Sequence, residues 1–238
     1  MSIANLKINL LDQGSVELID VMPNAGDADL AVVQAARVSF LGESKGPEKD
    51  KKLLHYLLRH RHSSPFEMVE FKFRVEAPLV TWWQWVRHRT FSFNFSSGRY
   101  TEFQEDKFYF PSEWRKQSSS NKQASDGSLG QEESDKLSSL LKTFYEDSNR
   151  LYQSALTAGV AREQARIFLP GFSAYYSAIV KCDAHNLMHF MRLRLPKDAQ
   201  YEIRVYAQAL YKIFKQVMPW TAEYLEVEEL WKENYDIA

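Results

Sequence analysis

The chain has 238 residues, 45% of them hydrophobic, and its 30 basic and 31 acidic side chains leave a net charge of −1. A length of this order suits one domain with a sizeable core, and the near-neutral charge excludes a general nucleic-acid binder, which carries a large basic excess. No apolar run is long enough to span a bilayer, and a single cysteine, Cys182, rules out an intrachain disulfide, so a cytoplasmic setting with neither membrane nor nucleic-acid partner is expected.

Residues 7–11 and 16–22 alternate apolar and polar around Asp12-Gln13-Gly14-Ser15, the pattern of a β-hairpin. Residues 28–38 have helical spacing, with Asp27 as cap and Asp29 placed to complement the helix dipole. A second helix is expected over 48–61, ending in the basic run Arg59-His60-Arg61-His62. Ser64-Pro65-Phe66-Glu67 fits a capping box, residues 69–75 alternate as a strand, and Pro78 opens a helix predicted to run through Arg89. On that helix Gln84, Arg87 and His88 share one face, while Trp82 and Trp85 are expected in the core.

From 117 to 134 the chain is polar and almost devoid of apolar residues, which reads as a flexible surface insertion. The second half reads as mainly helical, over 135–158, 160–169, 183–195 and 198–217, with one strand over 174–181. Cys182 follows an apolar run and is expected to be a packing residue. The order of elements predicts a single α+β domain over 1–238, with α/β-type layers: a mostly antiparallel central sheet flanked by helices.

Chemistry concentrates in residues 84–100. The cationic cluster Arg87-His88-Arg89 is followed by a turn rich in Asn and Ser, then by Ser97-Gly98-Arg99-Tyr100. Guanidinium forks grip phosphate oxygens in pairs, and hydroxyls with backbone N–H groups around a glycine close on an anion. The same cluster at a helix end is also compatible with simple dipole complementation and solvation. A second basic constellation holds Arg162, Arg166, Arg192 and Arg194. His185 and His189 stand one helical turn apart, but with Asn-Leu-Met between them and no third ligand, so no metal is expected. There is no Gly-x-Gly-x-x-Gly, no Walker loop and no good protein nucleophile. This inventory suits a protein that orients a bound cofactor and supplies charge.

Arg87-His88-Arg89, seven residues, then Ser97 resembles the Arg-His-Arg-x7-Ser signature of the flavin-dependent thymidylate synthases. Arg61-His-Ser-Ser-Pro-Phe-Glu67, Ala165-Arg166-Ile-Phe-Leu-Pro170, Asn186 to Arg194 and Ala199-Gln200-x-Glu202-Ile203 are similar to further blocks of that family, in the same order. The resemblance implies conversion of dUMP to dTMP, with 5,10-methylenetetrahydrofolate as carbon donor, FAD as hydride carrier and NADPH as reductant. It implies a homotetramer whose sites are shared between subunits. It also implies dUMP contacts from Gln84, Trp85, Val86, Arg87, Phe95, Ser96, Ser97, Gly98, Arg99, Arg166 and Arg194, with Arg99 and Arg166 as phosphate clamps and Arg194 as the catalytic residue facing the uracil. FAD contacts would come from Ser64, Arg87, His88, Arg89, Phe95, Asp183, His185 and His189, and His62 would line the folate or nicotinamide entrance.

The chain departs from the family's pattern in three places. Phe95 stands where many members have glutamate, and Asp183 and His189 replace common asparagines. Two other readings compete: a flavin reductase of the same fold without methyl transfer, and an RNA-binding module, which the near-neutral charge disfavours.

Overall fold

The computed structural model describes residues 6–24, 26–40, 42–100, 102, 107–122, 124–229 and 231. Its first element pair is the expected hairpin, β1 (Lys7–Leu10) and β2 (Gly14–Met22), in antiparallel register. The turn requires glycine, because a Cβ at Gly14 would collide with the hydroxyl of Tyr206, which donates to the Glu76 carbonyl at 2.7 Å. α1 (Ala28–Arg37) and α2 (Pro47–Arg59) follow. The buried carboxylate of Asp29 does more than complement a dipole. It accepts from the Trp220 and Thr221 N–H groups and from the Thr221 hydroxyl, and so ties α1 to the helix that begins at Pro219.

The capping box is not formed. Ser64–Met68 is a 3-10 turn with no side-chain cap, and both Ser64 and Glu67 are exposed. Immediate entry into β3 (Glu70–Pro78) leaves no room for a helix to develop. Along β3 Phe71, Phe73 and Val75 are fully buried while Lys72 and Arg74 point outward, the alternation that burial of one sheet face imposes.

α3 spans only Leu79–Trp85, ending four residues before Arg89. Helical periodicity continues past Trp85, but the chain turns through His88, whose N–H bonds the Trp85 carbonyl and whose carbonyl accepts from Phe91. This sends the His88 and Phe91 rings inward onto Phe190. The segment expected as a turn then forms β4 (Ser92–Phe95). Part of the polar stretch from 117 is paired, in the antiparallel strands β5 (Arg115–Gln117) and β6 (Ser125–Ser128). Its loop is held by the buried Ser118 hydroxyl, which accepts from the Ser120 and Asn121 N–H groups, a local device that needs no apolar residue.

α4 (Gln131–Thr157) stops at Gly159, whose φ of +84° suits a residue without Cβ. The expected helix over 160–169 is one short turn, α5 (Arg162–Ala165), continued by a 3-10 turn over Arg166–Phe168. β7 (Tyr175–Asp183), α6 (Ala184–Arg194) and α7 (Tyr201–Val217) match expectation, and α8 (Pro219–Val227) was not anticipated.

The central sheet has the order β1-β2-β3-β7-β4 and every pairing is antiparallel. One face carries the main core, with Phe71, Phe73, Val180 and Cys182 against Leu187, Leu210 and Phe214. Cys182 is a packing residue, and burial pushes its thiol well above the usual range. The other face is polar, crossed by the Arg74–Glu17 and Lys181–Glu70 ion pairs. α4 sits on a separate small cluster of Tyr152, Ala155 and Ala165, leaving Leu140, Phe144 and Leu151 exposed. No helix among the described residues is long and apolar enough to cross a membrane.

Candidate active site

Trp82 and Trp85, one turn apart on α3, are buried and stacked on each other at 5.2 Å. They anchor the residues that follow. Trp85 stacks on Phe190 of α6 at 4.9 Å, which fixes the end of α3 against α6 and brings His88 to His189 and Arg194. His88 is buried, its ring 4.8 Å from Phe190 and 6.1 Å from His189. Its Nε2 accepts the Arg194 Nε–H at 3.1 Å, and a ring nitrogen accepts only when it carries no proton. Burial, then the charges of Arg194 and His189, lower its pKa from 6.5 to about 4. Neutral His88 therefore aims the guanidinium, and Arg194 is itself half-buried, its pKa lowered by burial and by Arg87. Arg87, Arg89 and Val86 are exposed, and no acid among the described residues pairs with either arginine.

α6 carries His185, Met188 and Arg192 into a cavity of 540 Å³ that is completed by Leu57, Leu58, Arg61, His62, Ser63 and Phe66. Imidazoles, a guanidinium and a hydroxyl along an apolar wall can take a planar ring beside an anionic group. One turn further, His189 leads from the cavity to His88. Asp183 is committed otherwise. Its carboxylate caps α6, accepting from the Asn186 N–H at 2.8 Å and side-chain amide at 2.6 Å. Arg192 is also engaged, bidentate to Glu229 at 2.8 and 3.1 Å. Among the described residues His185 and His189 gain no third metal-binding side chain.

A second group lies where the β4 strand leaves β7. Ser96 N–H bonds the Ser177 carbonyl, and the turn Ser97-Gly98-Arg99-Tyr100 follows, with the Ser97 hydroxyl accepting from the Arg99 N–H. The turn brings Arg99 to 4.0 Å from the Glu163 carboxylate, and Arg166 donates to the Glu163 carbonyl at 3.3 Å. The two arginines singled out as clamps thus flank one residue of α5, although they lie far apart in sequence. Phe95 turns its ring into the aromatic cluster, edge-on to Trp82 at 4.8 Å and stacked on Phe93. At this position the chain supplies a wall where a glutamate would supply charge.

Sequence reasoning missed a third group. Gln84 donates to Gln200, Gln200 donates to Glu202 at 2.8 Å, and Glu202 also accepts from Arg115 at 2.6 Å and Tyr109 at 3.1 Å. Gln200 and Glu202 had been singled out as part of a similar block, but nothing local discloses what a buried carboxylate touches. Glu163 was missed as well, because its place beside Arg99 and Arg166 is set by tertiary contacts.

A family model described as thymidylate synthase complementing protein matches residues 17–220. The chain belongs to that family. It is 48% identical over 219 residues to the flavin-dependent thymidylate synthase of Thermus thermophilus, covering 91% of this chain and 78% of the relative. It is 43% identical to that of Thermosipho africanus, covering 92% and 93%, and 41% identical to that of Dictyostelium discoideum, covering 91% and 73%. Among solved structures it is similar to the UMP/dUMP methylase PolB from Streptomyces cacaoi bound with 5-Br dUMP, with a TM-score of 0.81 and 34% identity over 92% of this chain and 97% of that one. The same methylase bound with 5-Br UMP gives a TM-score of 0.79, over 92% and 96%. The family is a flavin-dependent one, and the chain is an enzyme of it.

Proposed function

We propose that the chain methylates dUMP to dTMP, with 5,10-methylenetetrahydrofolate as carbon donor, and with FAD and NADPH as the source of hydride. The observation that carries this reading is the Arg194 guanidinium, half-buried and held by neutral His88, whose ring packs on Phe190. A fixed cation in a partly desolvated site acts most strongly on charge that develops during reaction. Opposite a uracil ring, Arg194 would stabilise negative charge on the N3 side while the ring is attacked at carbon. FAD, held by the His185–His189 face with His88, Arg87, Arg89 and Ser64, would supply hydride chemistry that this chain's side chains lack.

Arg99 and Arg166 would clamp the phosphate, with the Ser97 hydroxyl and the backbone around Gly98 beside them. Gln84 would hold the nucleoside, Phe95 and Val86 would bound it, and Trp85, fully buried, would offer it no side-chain surface. His62, on the cavity rim, would face the folate or nicotinamide. Tight burial of Cys182 supports a route without a protein thiolate.

The assembly proposed is a cytoplasmic homotetramer with shared sites. Exposed Leu140, Phe144 and Leu151 on α4, and Trp83 against Phe172 with both rings exposed, support burial against further copies of the chain. The test is a visible spectrum of the purified protein with added FAD, then anaerobic NADPH, dUMP and methylenetetrahydrofolate with dTMP read by chromatography. A flavin band that bleaches, with dTMP formed, is expected. Bleaching without dTMP favours the reductase reading, and a protein that takes up no flavin overturns the proposal.

A further inference from the structure

We propose that Glu202 is a positioning residue that, acting through Gln200, decides which atoms Gln84 presents to the nucleotide. The inference rests on the reading of Gln84 as part of the dUMP site and adds to it a direction and a cause. Glu202 is 4% exposed, in the first turn of α7, and its carboxylate accepts from Arg115 at 2.6 Å, Tyr109 at 3.1 Å and Gln200 at 2.8 Å. Burial alone would raise its pKa, but the hydrogen bonds of Arg115 and Gln200 outweigh burial and hold it below the ordinary value.

An ionised carboxylate only accepts hydrogen bonds. Gln200 must therefore turn its NH2 group towards Glu202, which leaves its carbonyl oxygen facing α3. That oxygen in turn requires the NH2 group of Gln84, and the two amides are in hydrogen-bond contact with this polarity. Each amide orientation, which would otherwise be free to invert, follows from the one charge at the end of the chain. Gln84 is left with its Oε1 and one remaining N–H. It would then act towards the ligand as an acceptor for a hydroxyl or imide N–H.

The relay also reaches beyond α7. Arg115 begins β5 and Tyr109 precedes it, so the segment between β4 and α4 is tied to Gln84 through the same carboxylate. The Tyr109 phenol is kept protonated, its pKa raised by burial and by Glu202, so it stays a donor to that carboxylate.

The test is dUMP titration of the flavin-loaded enzyme, with steady-state kinetics, for the wild type, Glu202→Gln, Gln200→Met and Gln84→Ala. Glu202→Gln keeps the shape but lets the amide chain invert. It is expected to weaken dUMP binding about tenfold, the scale of one net hydrogen bond, with FAD affinity and saturated kcat much less changed. Gln200→Met breaks the chain in the middle at similar volume, is half-buried, and serves if the Glu202 variant folds poorly. In the Gln84→Ala background neither change is expected to cost more, because the relay has lost its terminus. A merely structural role would lower thermal stability and flavin loading together and leave dUMP affinity of the loaded enzyme intact. That result, or an undiminished penalty without Gln84, overturns the relay. If the wild type binds no dUMP, the nucleotide-site reading fails and the relay with it. If Gln84→Ala weakens binding while the relay variants do not, only the relay is wrong.

Discussion

The two arginine clusters are built on opposite principles. Arg194 is half-buried and fixed by a hydrogen bond to His88, whose imidazole packs on Phe190. Arg99 is 61% exposed, and its Nε lies 4.0 Å from the carboxylate of Glu163, itself 62% exposed. An exposed ion pair of that length contributes little, so Arg99 and Arg166 are available to an incoming anion. Desolvating a guanidinium is costly, and it is done here at the one arginine proposed to face a reacting ring. Arg99, proposed to grip a phosphate, stays in water, where it can adjust.

The sharpest way to break this comparison is Arg194→Ala. It is expected to lower dTMP formation about a hundred- to a thousandfold, the scale of a preorganised charge-stabilising donor, while the flavin absorbance of the purified protein persists. Loss of flavin together with activity would make Arg194 a cofactor-holding residue. Arg166→Ala comes next. A lost charge-assisted hydrogen bond to phosphate should raise KM for dUMP about ten- to hundredfold with kcat little affected. If kcat falls instead and KM does not, the clamp assignment is wrong.

A third prediction concerns acid. The His88 pKa falls from 6.5 to about 4 in the fold, under burial and the charges of Arg194 and His189, with Arg87 adding to the positive field around Arg194. The unfolded chain then binds the proton first, so stability is intact above about 6.5 and is lost progressively as pH falls towards 4. His88→Gln cannot titrate and should flatten that part of the profile of urea midpoint against pH. An unchanged slope would show that other groups carry it. The smallest effect belongs to Cys182→Ala. Turnover should stay near wild type, with a stability loss of about 1 kcal/mol from a small cavity. A folded variant without activity would restore cysteine chemistry.

How much of this was legible beforehand depends on the range of the forces involved. Strands β1, β2, β3 and β7 and helices α1, α2, α6 and α7 follow from periodicity, because one buried face writes itself into the local pattern. The basic stretch at 84–100 and its spacing to Ser97 also stand in the sequence alone. The end of α3 does not. Residues 86–89 are compatible with a continuing helix, and only the Phe190 surface, about a hundred residues away, draws the His88 ring inward and stops it. The Ser64 capping box failed likewise, since pairing of β3 with β2 and β7 claims the chain just after Met68.

Composition and local spacing determined the antiparallel α+β layers, the buried tryptophans and which residues carry charge. Tertiary structure decided which charges lose their water, which carboxylate orients Gln84, and that Arg99 and Arg166 meet at Glu163. The reason is physical: side-chain period is a property of a few turns of chain, whereas desolvation and hydrogen-bond polarity belong to the groups that packing places opposite one another.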